Sequence, residues 1–456
     1  MFNVKDERIH SMKNFKTLFG MMFVALIAAS CTNDVNDVLA PESPQKGYHF
    51  VATIAPKTFD ATTRTLLVED TENGTISSTW QEKDEILISY WADGETFPIS
   101  VTAKVSKVAS DGSATIEATL EKLPTSTGDH NANLSYPAIQ KIDEQDGQLS
   151  GDRDLRYGYA TLVVVDDKVT FKNEASLFAD CSILSFSMSD LKGGDINADK
   201  LVISCKDYFD VDDDLTITVT PPAGETLDKV YVSIPSWEDM GARTFWFEAT
   251  ASDGTPYIAK ATGTLELGMY YQTTLKMATV GNVIGSDGKF YKDADAAGTA
   301  AEAMIAYLGN EATDAPHGLA IALEKASANY VTWDASGDNN GKKTAEEIVD
   351  AWANNHAVTG GTWRLPSAYD WQRMFIGCGS THEYVSSLNN MEFGYGNFFT
   401  LWKSATSSSF PSYYYWTSTT SGSECAWVVI FESSTAFFDG QQYKDSIYQV
   451  RACLAF

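Results

Sequence analysis

Between Tyr48 and Met277 the chain repeats one pattern that leaves it little choice of architecture. Short runs rich in Val, Ile, Thr and aromatic residues return roughly every 10–15 residues, with Gly, Asp, Asn and Pro between them. The first is Tyr48-His49-Phe50-Val51-Ala52-Thr53-Ile54. Later ones include Ile86 to Tyr90, Ala114 to Leu120, Leu162 to Val165, Leu201 to Ser204 and Tyr271 to Met277. No segment before residue 290 carries a convincing helical period. Such a chain is mainly β, and the expected arrangement is two tandem sandwiches split near residue 160.

The last third differs. After a Gly-rich junction, Gly281 to Asp287, helical signals join the strands. Thr344 is an N-cap candidate for a helix over 344–357, with Glu346 and Glu347 in its first turn and Trp352 on its inner face. Pro366-Ser367 opens a second helix, Ala368 to Phe375, with Trp371 and Phe375 four apart on one face. Runs 426–431 and 447–454 read as strands. This predicts an α+β head, giving 47–160, 161–281 and 282–456 as three domains of a 456-residue chain.

The N-terminus points to export. Lys13 and Lys16 precede a short apolar run, Thr17 to Ala29, which leads into Leu26-Ile27-Ala28-Ala29-Ser30-Cys31. This resembles a lipoprotein signal peptide over 1–30 with translation starting at Met12. Cys31 would then be the lipidated residue, holding the chain to a membrane through its lipid. The run is too short to span a bilayer as a helix. Residues 31–46 are polar and read as a tether.

A net charge of −28 offers phosphates no basic patch, so nucleic acid is not an expected partner. Six cysteines less Cys31 leave five, an odd number. Cys425–Cys453 on neighbouring strands is the first pairing to consider, against buried free thiols.

Two resemblances add to this. Thr63-Arg64-Thr65, then Thr79-Trp80-Gln81-Glu82-Lys83-Asp84-Glu85-Ile86, Leu134-Ser135-Tyr136-Pro137 and Phe171-Lys172-Asn173-Glu174-Ala175, within Tyr48 to Ala278, resemble the fimbrillin family of Bacteroidales pilus subunits and tip proteins. Lys83 stands where many relatives carry glycine. The resemblance implies export as an outer-membrane lipoprotein and cleavage after an arginine by a trypsin-like protease. It also implies filling of the vacated slot by another pilus subunit's strand. Arg64 is the matching cleavage position, with Arg153 or Arg156 as lesser candidates. Thr362-Trp363-Arg364-Leu365-Pro366-Ser367, Asp370-Trp371, Tyr415-Trp416-Thr417-Ser418-Thr419, Ala426-Trp427 and Val450-Arg451-Ala452 resemble the Fibrobacter major paralogous domain. That implies a C-type-lectin-like binding head over about Gly285 to Phe456, with no catalytic residues to carry over.

Val450 to Phe456 reads as an apolar strand integral to the head. A chain that accepts a strand but lends none caps a fibre, so the expected function is a pilus tip adhesin. Its ligand would be a glycan or a surface protein. Tyr413, Tyr414 and Trp402 are the stacking candidates. A static surface lipoprotein and an enzyme on a lectin-like scaffold are the alternatives. An enzyme would need a reactive cysteine pair in a cleft.

Other chemistry finds little footing. The six histidines (10, 49, 130, 317, 356, 382) have no i, i+4 partner for zinc, and no Gly-x-Ser-x-Gly elbow occurs. No cofactor is expected. Asp334, Ser336, Asp338, Asn339 and Asn340 make an oxygen-rich loop that begins like a Ca2+ site. However, Asn339 replaces the glycine and Ala345 the terminal glutamate, so a solvated loop is favoured.

Overall fold

The computed structural model describes residues 47–57, 68–70, 75–92, 94–124, 130–165, 168–312, 314–333, 344–411, 413–432 and 435–456. The signal and tether, Cys31, Arg64 and the Asp334/Asp338 loop lie outside the described residues. The protein is mostly β, as its strand pattern demands, in three successive sheet systems.

The first system comprises β1 (Tyr48–Ile54), β2 (Val68–Asp70), β3 (Thr75–Ser77), β4 (Glu85–Tyr90), β5 (Ile99–Val108), β6 (Ala114–Leu120), β7 (His130–Tyr136), β8 (Glu144–Gln145), β9 (Arg156–Val165), β10 (Lys168–Phe171) and β11 (Leu177–Ala179). Eight of these form one sheet in the order β10-β1-β6-β5-β4-β7-β9-β11. Because β10 also pairs with β9, the sheet folds over and closes around its own core. Alternation decides the inner face: Phe50, Ile54, Ile86, Ile88, Leu134, Leu162 and Val169 are all fully buried. The expected boundary at 160 falls inside β9, and pairing to this sheet continues to Ala179. The apolar alternation of 156–165 fits either neighbour, so a cut by sequence spacing could not assign it. Lys83, in the glycine position of the motif, adopts φ 77° and closes the turn before β4.

The second system packs a three-stranded sheet, β15-β12-β18, on a five-stranded one, β17-β16-β13-β14-β8. Its strands are β12 (Cys181–Asp190), β13 (Ala198–Asp210), β14 (Asp213–Val219), β15 (Lys229–Pro235), β16 (Arg243–Ala251), β17 (Pro256–Gly263) and β18 (Tyr270–Met277). Two pieces of earlier sequence lie on it. β8 adds in parallel to β14, and the Gln145 side chain exchanges two hydrogen bonds with the Ser233 backbone, at 2.8 and 3.0 Å. Gly147 follows at φ 77°, where a Cβ would stand 2.7 Å from Leu227. The β2–β3 hairpin supplies Glu69, whose carboxylate accepts from Lys229 Nζ and the hydroxyl of Tyr231, and from Tyr270 Oη at 2.6 Å and Gln272 Nε2 at 3.0 Å.

The head contains β19 (Val283–Gly285), β20 (Phe290–Tyr291), β21 (Ala301–Leu308), β22 (Gly318–Ala322), β23 (Val331–Thr332), β24 (Thr362–Arg364), β25 (Met391–Phe393), β26 (Tyr414–Thr420), β27 (Cys425–Phe431), β28 (Ala436–Tyr443), β29 (Ile447–Tyr448) and β30 (Cys453–Ala455). Two main sheets run β20-β19-β21-β22-β30-β24 and β25-β28-β27-β26. Helices Ala345–Ala353 and Ala368–Gly377 both start on capping boxes, Thr344 with Glu347 and Ser367 with Asp370. Asp370 also meets Arg364 at 2.9 Å, so Arg364, Ser367 and Asp370 form one capping unit. Trp371 and Phe375 are fully buried, as their spacing predicted.

Arg451 is 2% exposed, with its guanidinium 5.0 Å from the Trp402 ring centre and 4.9 Å from that of Phe410. Cys425 and Cys453 sit in different sheets, β27 and β30, and all five described cysteines are free thiols. The expected pairing therefore fails, because its two residues are strand neighbours of other segments.

Candidate functional site

Several described residues that carry the fimbrillin resemblance, Trp80, Asp84, Tyr136, Phe171 and Ala175, gather around β1 and the segment just beyond it. On one side β1 pairs antiparallel with β6 along its whole length, from Tyr48↔Leu120 to Ile54↔Ala114. On the other it runs parallel to β10 at Phe50↔Val169 and continues to Ala175. Ala55 N–H donates to the Ala175 carbonyl at 2.7 Å. Phe50 meets Phe171 edge to face at 5.2 Å. Phe171 to Ala175 thus forms one wall.

The other motif pieces receive the segment just beyond β1. Trp80 donates its indole N–H to the Ala55 carbonyl at 2.8 Å and lies edge-on to Tyr136 at 5.1 Å. Between these rings sits Lys57, whose side chain is 2% exposed. Its Nζ is 4.3 Å from the Trp80 ring centre and 3.6 Å from that of Tyr136. Two carboxylates answer it, Asp84 at 3.4 Å and Asp154 at 3.3 Å.

Asp154 is fully buried and also accepts from Arg156 Nε at 2.7 Å and from the Ser78 hydroxyl. Burial opposes its ionisation, but Arg156, Lys57 and Ser78 outweigh that and hold its pKa below the ordinary carboxylate value. Burial also pushes the Tyr136 hydroxyl well up, so the ring stays neutral.

Chemically, the slot holds the chain's own extended segment, β1. It offers backbone partners on both edges, an apolar trough for Phe50, Ala52 and Ile54, and an anionic, aromatic-walled box for a cation. Sequence reasoning missed Lys57, because nothing local marks a lysine after Pro56 as buried. Arg153 and Arg156, the lesser cleavage candidates, are 3% and 0% exposed, so neither is presented to a protease. Arg64 lies outside the described residues.

The second candidate site is on the head. Tyr413 and Tyr414 are 40% and 47% exposed. Tyr330 approaches Tyr413 at 6.3 Å, Tyr448 approaches Tyr414 at 5.6 Å, and Lys325 lies over the Tyr413 ring at 5.2 Å. They make two ring pairs, Tyr330 with Tyr413 and Tyr414 with Tyr448. Trp402 is not part of either: at 2% exposure it belongs to the core and packs on Phe410 and Arg451. The reason is geometric, since the helix Phe398–Thr406 turns Phe398, Trp402 and Ala405 inward together. A cleft of about 780 Å3 on the outer side of that helix is lined by Phe399, Thr400, Lys403, Ser404, Ser409 and Phe410.

Among the described residues, no three His, Cys, Asp or Glu side chains gather as a metal site. No helix there is long and apolar enough to cross a membrane. Burial pushes the Cys181 thiol up to about 12 and the Cys378 and Cys453 thiols up as well. Cys425 and Cys453 do not form the cleft pair that the enzyme alternative requires.

No protein-family model matches the sequence, and no curated protein matches it. Solved structures give distant likenesses. A fimbrial protein of Bacteroides ovatus is 11% identical, with 91% of this chain and 100% of that one covered and a TM-score of 0.27. A fimbrial assembly protein of Parabacteroides distasonis is 9% identical, covering 50% and 90%, with a TM-score of 0.25. The minor pilin of Streptococcus agalactiae is 9% identical, covering 51% and 96%, with a TM-score of 0.23. At such scores and identities, none of these likenesses decides the function.

Proposed function

We propose that this protein is a pilus tip adhesin. In this reading it is exported as an outer-membrane lipoprotein on Cys31 and cut after Arg64. The vacated β1 slot then accepts a strand from another pilus subunit, and the head binds a glycan or surface protein. One observation carries the reading: the motif residues Trp80, Asp84, Tyr136 and Phe171 to Ala175 gather around β1 and its exit, while β6 pairs it along its length. Removing β1 would open an apolar trough with unpaired backbone on β6 and β10, which an added strand satisfies.

The opposite segment supports the end-of-fibre position. β30 lies between β22 and β24 in the head sheet, paired at Ile321↔Cys453 and Trp363↔Leu454. Val450 to Phe456 is buried throughout, at no more than 5% exposure. Lending that segment to a neighbour would dismantle the head. The head faces its ligand with Tyr413 and Tyr414, whose rings suit stacking on a sugar face.

Limited trypsin digestion tests the reading. The expected result is a cut after Arg64 and release of the preceding fragment, followed by capture of a synthetic β1-like strand. A static surface lipoprotein would instead keep its β1 and capture nothing.

A further inference from the structure

Lys57 is built into the receptor yet belongs to the segment that would leave. It lies before Arg64 in sequence, so a cut there carries it away with β1. What it neutralises stays behind. Asp154, fully buried, would then keep Arg156 and Ser78, and Asp84 the Gln81 N–H, so Arg156 would be left as the cation beside two carboxylates. A buried carboxylate that loses one of its two cations is disfavoured. The faces of Trp80 and Tyr136 that now flank Nζ would likewise lose their cation.

We propose that a segment able to replace β1 must bring a lysine or arginine three residues beyond its last inward apolar side chain, seated between Trp80 and Tyr136 against Asp84 and Asp154. The partner is therefore an extended strand with apolar residues at three alternate positions, matching Phe50, Ala52 and Ile54, and a cation at the place of Lys57. Selection by register follows. A one-residue slip would turn the apolar set outward and also move the charge out of its box. The inference rests on the strand-exchange reading and deepens it by naming what the slot selects.

The test uses trypsin-nicked protein freed of its β1 fragment and three labelled peptides spanning 48–57. One has the native sequence. A second carries Lys57→Gln. The third carries Lys57→Gln with Thr53→Lys, which restores the charge on the solvent side of the strand. The native peptide is expected to bind at least about tenfold more tightly than either other, because a paired buried cation outweighs long-range attraction to an acidic protein. In protein carrying Asp84→Asn, that preference shrinks. Equal binding of the native and Thr53→Lys peptides overturns the cation box while leaving strand exchange standing. An unchanged preference in Asp84→Asn protein also overturns it. If no peptide binds at all, the strand-exchange reading fails and takes this inference with it.

Discussion

Trp80 donates its indole N–H to the carbonyl oxygen of Ala55 across 2.8 Å, so the tryptophan of the TWQEKDEI run fastens the end of the first strand. Its ring at the same time walls the Lys57 box. Backbone anchoring and charge recognition thus meet at one side chain.

Trp80→Phe keeps an aromatic wall and removes the donor. The Ala55 carbonyl then loses its side-chain partner, at a cost of about 1–3 kcal/mol. Amide hydrogen exchange across 48–54 should accelerate accordingly, while exchange in β13 and β16 of the second sandwich stays as in the parent.

The Asp154 cluster predicts an acid limit. Its folded-state pKa is depressed, so its contribution is fully present above the unfolded carboxylate value of about 3.9. It is lost as pH falls through the lower folded value. Urea titrations should give a first-domain stability insensitive to this group between pH 7 and about pH 5, then a decline below about pH 4. Asp154→Asn should flatten that decline. An unaltered acid slope in the variant would assign it to other carboxylates.

The cysteines should separate by accessibility. Cys425 is half-buried, whereas Cys181, Cys205, Cys378 and Cys453 are buried with thiol pKa values pushed up. Brief alkylation of the native protein, read by mass spectrometry, should label Cys425 and spare these four. Labelling of Cys453 before Cys425 would contradict the placement of β30.

On the head, Tyr413→Ala with Tyr414→Ala should leave thermal stability within about 0.5 kcal/mol and abolish capture on a glycan array or host-surface assay that the parent protein passes. Trp402→Ala should instead destabilise the head by about 3–5 kcal/mol, as expected for a large core truncation. Unchanged capture by the double tyrosine variant would move the ligand surface elsewhere, with the cleft beside Phe399 next in line.

Much of this fold was legible because its signals are local. Alternation in 48–54 and 85–90 gives the buried faces, and Thr344 and Ser367 cap the helices that their spacing predicted. What escaped depends on partners distant in sequence. Glu69 is satisfied by side chains more than 150 residues away, and Gln145 by Ser233. Lys57 becomes a buried cation only when residues 80, 84, 136 and 154 close around it. Trp402 was misplaced because an aromatic-rich stretch looks alike whether it stacks on a ligand or on Phe410. The motif residues 80, 84, 136, 171 and 175 were legible as a set, but their common purpose appears only in three dimensions, around β1.

The most direct test compares the two ends of the chain in one sample. Nicked protein should be mixed with an isotope-labelled 48–57 peptide and followed by hydrogen exchange with mass spectrometry. The account predicts that labelled peptide replaces the resident β1 and restores protection along β6 and β10, while residues 450–456 stay protected throughout. Failure of the peptide to enter, or loss of protection at 450–456 as it does, would contradict it.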